Sequence, residues 1–138
     1  MPVSIPGAGR REARERALEL LYEAESKAMS PTEVLAELAI DPDPYAVDVV
    51  RGVGDDQRRL DGLISATARG WTLDRMPVID RNLLRMATWE LAHRPEIPVA
   101  VIINEAVELA KQYSTDDSGR FVNGVLSRLA AELRSGEA

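Results

Sequence analysis

The sequence has no cysteine, and aromatic residues make up only 4% of its 138 positions. The missing cysteines exclude disulfides, thiolate catalysis and cysteine-ligated zinc, and they fit a reducing compartment. A core must therefore be built mainly from Leu, Ile, Val, Ala and Met, within a hydrophobic content of 45%. A chain of this length and composition predicts one domain with a modest core.

Long apolar runs are also missing. No stretch approaches the roughly 20 apolar residues that a membrane-spanning helix needs, and the start MPVSIPGAGRR lacks the apolar segment of a secretory signal. We therefore expect a cytoplasmic protein without a membrane partner. The net charge of −6 argues against nucleic-acid binding when averaged over the whole chain, because cations supply most of that affinity.

Positive charge is nevertheless concentrated near the start of the chain, where four arginines and two glutamates give residues 10–16 a net charge of +2. Helical spacing predicts a helix that begins near Arg10 or Arg11. Cations at a helix N-terminus oppose the helix dipole by about 0.3–1 kcal/mol each, so a bound anion would reverse that cost. The alternative is that these are ordinary solvated charges. The predicted apolar face of this helix contains Ala13, Ala17, Leu20, Leu21, Ala24 and Ala28.

Further along the chain, the pattern predicts helices with short connections. Ser30, Pro31 and Glu33 predict a capped helix that ends near residue 39, and a long helix follows from Tyr45 to a break at Gly70. Within that long helix, the glycines at 52 and 54 predict a kink or the close approach of a neighbouring backbone. The only strand candidate, residues 99–103, is better interpreted as a helical first turn. The chain is therefore predicted to be all-α, with about six or seven helices.

Catalytic signals are weak. His93 is the only histidine, and the chain has no cysteine, so no second residue of these two types is available as a metal ligand. Glu105 and Glu108 are interpreted as a solvated helix face, and Asp116 and Asp117 as helix-capping residues. We therefore expect neither an enzyme nor a metal or cofactor site.

Residues 103–126, INEAVELAKQYSTDDSGRFVNGVL, are the most informative segment. An amphipathic helix is followed by a polar hinge, residues 114–118, that predicts an N-cap for the last helix. Phe121 directly follows Arg120, and an aromatic beside a cation can stack on an unpaired base while the cation meets phosphate. Simple core packing is the equally weighted alternative for Phe121.

The elements INEA, ELAK and FVNGVL of this segment resemble the NusB family of transcription antitermination factors, and the match extends from Arg10 across nearly the full chain. The resemblance implies a NusB-like fold of two small packed helical bundles. It also implies one RNA-binding domain over residues 9–135, with sub-bundles over roughly 9–70 and 71–135. Residues 1–8 and 136–138 are then expected to be flexible ends.

The resemblance also implies a function, in which the protein binds boxA RNA of ribosomal RNA transcripts together with the ribosomal protein NusE. It would do so within an RNA polymerase antitermination complex that includes NusA and NusG. Tyr22 and Asp80 match positions on the NusE-binding face. Glu12 departs from the family pattern, because a further basic residue is common there. The RNA-binding residues implied are Arg10, Arg11, Arg14, Asp117, Arg120 and Phe121.

Two alternatives belong to other classes of protein. NusB-like domains also recruit RNA for certain ribosomal RNA methyltransferases, although the sequence after FVNGVL is too short for a cofactor-binding domain. A homodimeric scaffold without RNA is the second alternative, and its interface could cover residues 10–14.

Overall fold

The computed structural model describes residues 10–135, and every regular element in that range is helical. The all-α prediction is confirmed, and residues 99–103 form the start of a helix rather than a strand. The predicted flexible ends lie outside the described residues. The elements are α1 (Arg11–Ser26), α2 (Pro31–Glu37), α3 (Pro44–Thr67), a 3-10 helix (Leu73–Arg75), α4 (Val78–His93), α5 (Val99–Tyr113) and α6 (Asp116–Leu133).

Side-chain caps fix the starts of two helices that the sequence predicted. The Ser30 hydroxyl accepts a hydrogen bond from the Glu33 amide at 3.1 Å, and the Glu33 carboxylate accepts one from the Ser30 amide at 2.9 Å. This reciprocal pair is a capping box, although α2 ends at Glu37, earlier than predicted. In the polar hinge, Thr115 caps α6 by accepting a hydrogen bond from the Ser118 amide at 2.9 Å.

The helix α4 lies at the centre of the fold, with eleven of its residues buried. It packs against α1 and α3, which precede it in the chain, and against α5 and α6, which follow it. Helices α1, α2 and α3 also contact one another, and α5 packs on α6. The two predicted sub-bundles stay a prediction, because α4 contacts helices from both halves of the chain.

The predicted apolar face of α1 is wrong at its end. The helix stops at Ser26, and Ala28 is exposed with a φ of 54°. The Met29 amide donates a hydrogen bond to the Ala24 carbonyl at 2.8 Å. This bond closes the helix through a left-handed residue, as in a Schellman motif, so Ala28 cannot join the core.

The expectation for Gly52 also needs correction, because α3 runs without interruption from Pro44 to Thr67. A Cβ atom at Gly52 would lie 2.1 Å from Nε1 of Trp89. The glycine therefore makes room for an indole side chain on α4 rather than for a neighbouring backbone. Its absence of a side chain lets α3 and α4 pack closely at the centre of the protein.

Candidate nucleic-acid interface

The start of α1 places three arginines in three different environments. Arg10 directly precedes the helix, and its guanidinium carbon lies 4.0 Å from the centre of the Tyr45 ring. This distance is typical of a cation–π contact. Among residues 10–135, Arg10 makes no ion pair with a carboxylate, whereas Arg11 and Arg14 both do.

Arg11 lies at the surface, where 47% of its side chain is exposed. Its Nε donates a hydrogen bond to Oε2 of Glu105 at 2.8 Å, and its Nη2 contacts the same oxygen. Glu105 was predicted to be solvated, but it is buried. The position faces the core because Ile102 and Leu109, three residues before and four residues after it, are both buried.

Arg14 is buried, with only 2% of its surface exposed. Its Nη2 donates to Oε2 of Glu90 at 2.7 Å, and its Nε donates to Oε1 at 3.0 Å. Burial opposes the positive charge, but the hydrogen bond and the charge of Glu90 outweigh it, so the pKa of Arg14 lies above its ordinary value. Direct contact between Arg14 and RNA stays a prediction, and it would require this buried ion pair to open.

Glu90 also binds Tyr45, whose hydroxyl donates to Oε2 at 2.7 Å. Burial and the neighbouring Glu90 charge raise the pKa of Tyr45, so the hydroxyl remains a donor. Arg14, Glu90 and Tyr45 thus form one buried network that joins α1, α4 and α3. Its outer edge is the exposed side of Arg10.

A second group of predicted residues lies in the first two turns of α6. Asp117 and Arg120 form an ion pair at the surface, and both side chains are mostly exposed. Phe121 is half-buried, and its ring meets Trp71 edge to face with centroids 5.9 Å apart. Trp71 is 52% exposed, so an aromatic surface next to a cation is available there for stacking.

The residues assigned to NusE, Tyr22 and Asp80, line different cavities. Tyr22 is 48% exposed and lines a groove of about 510 Å³ that also contains Glu15, Glu19 and Glu23. Asp80 is 3% exposed and lines a cleft of about 210 Å³ together with Trp71, Phe121 and Asp117. The structure therefore brings Asp80 next to the α6 residues rather than next to Tyr22.

Burial raises the pKa of Asp80, although the side chains of Ser118 and Ser114 act in the opposite direction. Its Oδ1 atom is buried and has no hydrogen-bond partner among the described residues. A buried carboxylate oxygen without a donor is energetically unfavourable in its ionised form. The protonated form of Asp80 is therefore favoured by this environment.

Three residues of these sites, Tyr45, Trp71 and Glu90, were not predicted from the sequence as site residues, and Glu105 was assigned to the solvated face. Glu90 carried a usable signal, because it stands seven residues after Leu83 and four after Met86, on the buried side of α4. An ionised acid at such a position is stabilised by a cation or by hydrogen-bond donors. The identity of that cation could not be deduced, since Arg14 is far away in the sequence.

Other kinds of site find little support in the described part of the chain. Between residues 10 and 135, no three acidic or histidine side chains converge as a metal site would need. His93 lies at the end of α4, where its Nε2 is 3.3 Å from Asp56. None of the helices in this range has the length and apolar character to cross a membrane.

The fold is that of a small all-helical protein with a cluster of arginines at the start of α1. The NusB family model matches residues 11–131, and the chain belongs to the NusB family. It is 54% identical to the transcription antitermination protein NusB of Salinispora arenicola, over 88% of this chain and 94% of the relative.

Two solved structures show the same fold. NusB from T. maritima superimposes with a TM-score of 0.81 at 36% identity, covering 96% of this chain and 94% of that one. A chain in a crystal structure of the antitermination factors NusB and NusE in complex with dsRNA superimposes with a TM-score of 0.76 at 28% identity. That match covers 89% of this chain and 96% of the other.

Proposed function

We propose that this chain is an RNA-binding transcription antitermination factor that acts with NusE on boxA RNA of ribosomal RNA transcripts. Membership of the NusB family and the likeness to a NusB–NusE–RNA complex support this function. The observation in the chain itself that carries the proposal is Arg10, a partly exposed cation at a helix start without a carboxylate partner among residues 10–135. The protein would act in the cytoplasm by binding, without catalysis.

In this proposal, Arg10 and Arg11 contact RNA phosphates. Arg11 has five N–H donors, and the contact with Glu105 involves only its Nε and Nη2 nitrogens, so other donors remain for a phosphate. Arg14 would support the site mainly without touching RNA, because its buried pair with Glu90 holds Tyr45 and α1 in position. The helix dipole disfavours these arginines in the free protein. A bound phosphate would neutralise them and interact favourably with the dipole, so the electrostatic cost would become a gain in binding free energy.

The α6 residues form the second half of the proposed RNA site. Phe121, supported by Trp71, would stack on an unpaired base, while Arg120 meets the backbone. Asp117 would organise Arg120, with which it forms an ion pair, or would accept a hydrogen bond from a base edge. Stacking of this kind contributes about 1–3 kcal/mol per base, which complements the phosphate contacts at α1.

The groove around Tyr22 is proposed as the NusE site. Its glutamates at 15, 19 and 23 lie one helical turn apart on α1, and Arg16 and Lys27 also line the groove. The groove therefore combines an apolar floor with charges of both signs, and a partner would need complementary charges of both signs. Asp80 would contribute from the neighbouring cleft, close to the RNA residues of α6. This arrangement would let NusE and RNA bind side by side.

A second protein surface is physically needed, because RNA affinity from a few phosphate contacts is weak. About three contacts to single-stranded RNA give a slope of log affinity against log salt near −2. NusE would add contacts and so raise the affinity of the complex. Recruitment into a polymerase complex with NusA and NusG would follow from that joint binding.

The proposal can be tested by fluorescence anisotropy with a boxA-type single-stranded RNA and a scrambled control, each in the presence of NusE. Wild-type protein should bind the boxA-type RNA more tightly, and Arg10→Ala/Arg11→Ala, which leaves the buried pair between Arg14 and Glu90 intact, should lose that binding. A matched control is Arg128→Ala, which removes an exposed arginine on α6. Equal binding of both RNAs by the wild type would contradict the proposal.

The homodimeric alternative has its own measurement. Light scattering over a range of concentrations, with and without RNA, reports whether two copies cover the arginines. A complex with RNA that still contains two protein copies would rule out occlusion. Loss of the dimer on RNA binding would instead identify the dimer as a store of inactive protein.

A further inference from the structure

The contact between Arg10 and Tyr45 gives the arginine site a feature that charge alone does not explain. We propose that Tyr45 is a positioning residue, which holds the Arg10 guanidinium in place as a preformed ligand for an RNA phosphate. The proposal rests on the RNA-binding function argued above. It adds a residue from α3 to a site that is otherwise built from α1 and α6.

The Tyr45 ring is held firmly enough to serve this purpose. The residue is 8% exposed and lies in the first turn of α3, where its amide donates to the Asp43 side chain at 2.8 Å. Its hydroxyl donates to Glu90 at 2.7 Å, and the same carboxylate binds the buried Arg14. Both ends of the tyrosine are therefore fixed before any ligand arrives.

Two other arginines approach the same ring, but they differ from Arg10. The guanidinium carbons of Arg14 and Arg94 lie 5.8 Å and 5.9 Å from the Tyr45 centroid, compared with 4.0 Å for Arg10. Arg14 is bound to Glu90, and Arg94 is paired with Asp48 at 3.2 Å. Of these three arginines, only Arg10 lacks a carboxylate partner within residues 10–135.

A stacked guanidinium keeps its N–H donors at its edge, because the contact with the ring uses its face. Arg10 can therefore rest on Tyr45 and bind a phosphate at the same time. The stack also restricts a long, flexible side chain before binding, which reduces the entropy lost when the complex forms. Tyr45 should accordingly change the affinity for RNA without changing the number of phosphate contacts.

The test compares rings of nearly the same shape. Tyr45→Phe keeps the ring, and trifluorophenylalanine at position 45 keeps its shape but weakens the negative charge on its face. Affinity for a boxA-type single-stranded RNA is measured in the presence of NusE, in the wild-type background and in Arg10→Ala. Thermal unfolding of each variant reports the loss of the hydrogen bond to Glu90 separately.

We expect the fluorinated variant to bind RNA about threefold more weakly than Tyr45→Phe in the wild-type background, which is the size of an exposed cation–π contact. The salt slope should be the same for both. In the Arg10→Ala background, the two variants at position 45 should bind RNA with equal affinity, because a double-mutant cycle isolates the interaction between residues 10 and 45. A merely structural role of Tyr45 would produce the same difference in both backgrounds.

Equal RNA affinity of the two variants at position 45 in the wild-type background would overturn the positioning role of Tyr45. A difference in their RNA affinity that persists in the Arg10→Ala background would also overturn it. If Arg10→Ala binds RNA as well as the wild type, the positioning role fails but RNA binding stands at another site. If the wild type does not bind RNA selectively, the proposed function fails, and the role of Tyr45 fails with it.

Discussion

The buried pair between Arg14 and Glu90 makes a quantitative prediction about stability. Both side chains are 2% exposed, and they share two hydrogen bonds of 3.0 Å or less. Glu90→Ala removes the main counter-charge of a buried guanidinium and the acceptor of the Tyr45 hydroxyl. Breaking such a pair costs about 3–5 kcal/mol, which is a large part of the total stability of a domain of this size.

A loss of that size should lower Tm by about 10–20 °C, as measured by calorimetry or circular dichroism. The matched control is Glu105→Ala, which breaks the pair with Arg11. Arg11 can return to water because its side chain is 47% exposed. Arg14 loses a second carboxylate 3.9 Å away but keeps its hydrogen bonds to Glu90, so the control should lose less stability than Glu90→Ala. Replacing both buried partners, as in Arg14→Leu/Glu90→Met, should recover much of the loss.

The comparison between the two glutamates is decisive. If Glu90→Ala and Glu105→Ala lower the unfolding free energy equally, the network under the arginine site does not stabilise the fold as described. If the double replacement is less stable than Glu90→Ala, burial of the Arg14 charge is not the cause of the loss.

Two further predictions concern packing and pH. Gly52→Ala should destabilise the protein by at least about 1–3 kcal/mol and shift the fluorescence emission of Trp89. Gly62→Ala, with open space around its Cβ, should stabilise the protein by about 0.5–1 kcal/mol. Equal effects of the two substitutions on stability would contradict the α3–α4 packing. Because burial raises the pKa of Asp80, the fold favours its protonated form, and its ionisation destabilises the fold as pH rises from its unfolded pKa to its folded pKa. Wild type should therefore gain stability relative to Asp80→Asn as pH falls from 7 through that range, and a pH-independent difference would contradict the shift.

The helices were largely predictable because their signals are local. Periodic apolar positions and the capping box at Ser30 identified α1 and α2. The polar hinge predicted an N-cap within residues 114–118, but the cap is Thr115, and Asp116 and Asp117, which were interpreted as capping residues, lie in the first turn of α6. Pro98 allowed residues 99–103 to be interpreted as a helical turn. Ala28 was misplaced because a left-handed closing residue has no clear signal when it is not glycine.

The candidate site was predictable in composition but not in geometry. The cluster of arginines drew attention to α1, yet nothing local distinguishes the partly exposed Arg10 from the buried Arg14. That difference depends on Glu90 and Tyr45, which reach the site from α4 and α3. Contacts between residues so far apart in sequence arise only from the packing of helices, which a single sequence does not specify.

The most direct test of the phosphate site is the salt dependence of boxA-type RNA binding by the complex with NusE, for wild type, Arg10→Ala/Arg11→Ala and the surface control Arg58→Ala/Arg128→Ala. Each lost phosphate contact on a single strand reduces the slope of log affinity against log salt by about 0.7. We expect a slope reduced by about 1.4 for the α1 variant and an unchanged slope for the control. Equal slopes for all three proteins would contradict the assignment of the α1 arginines to RNA.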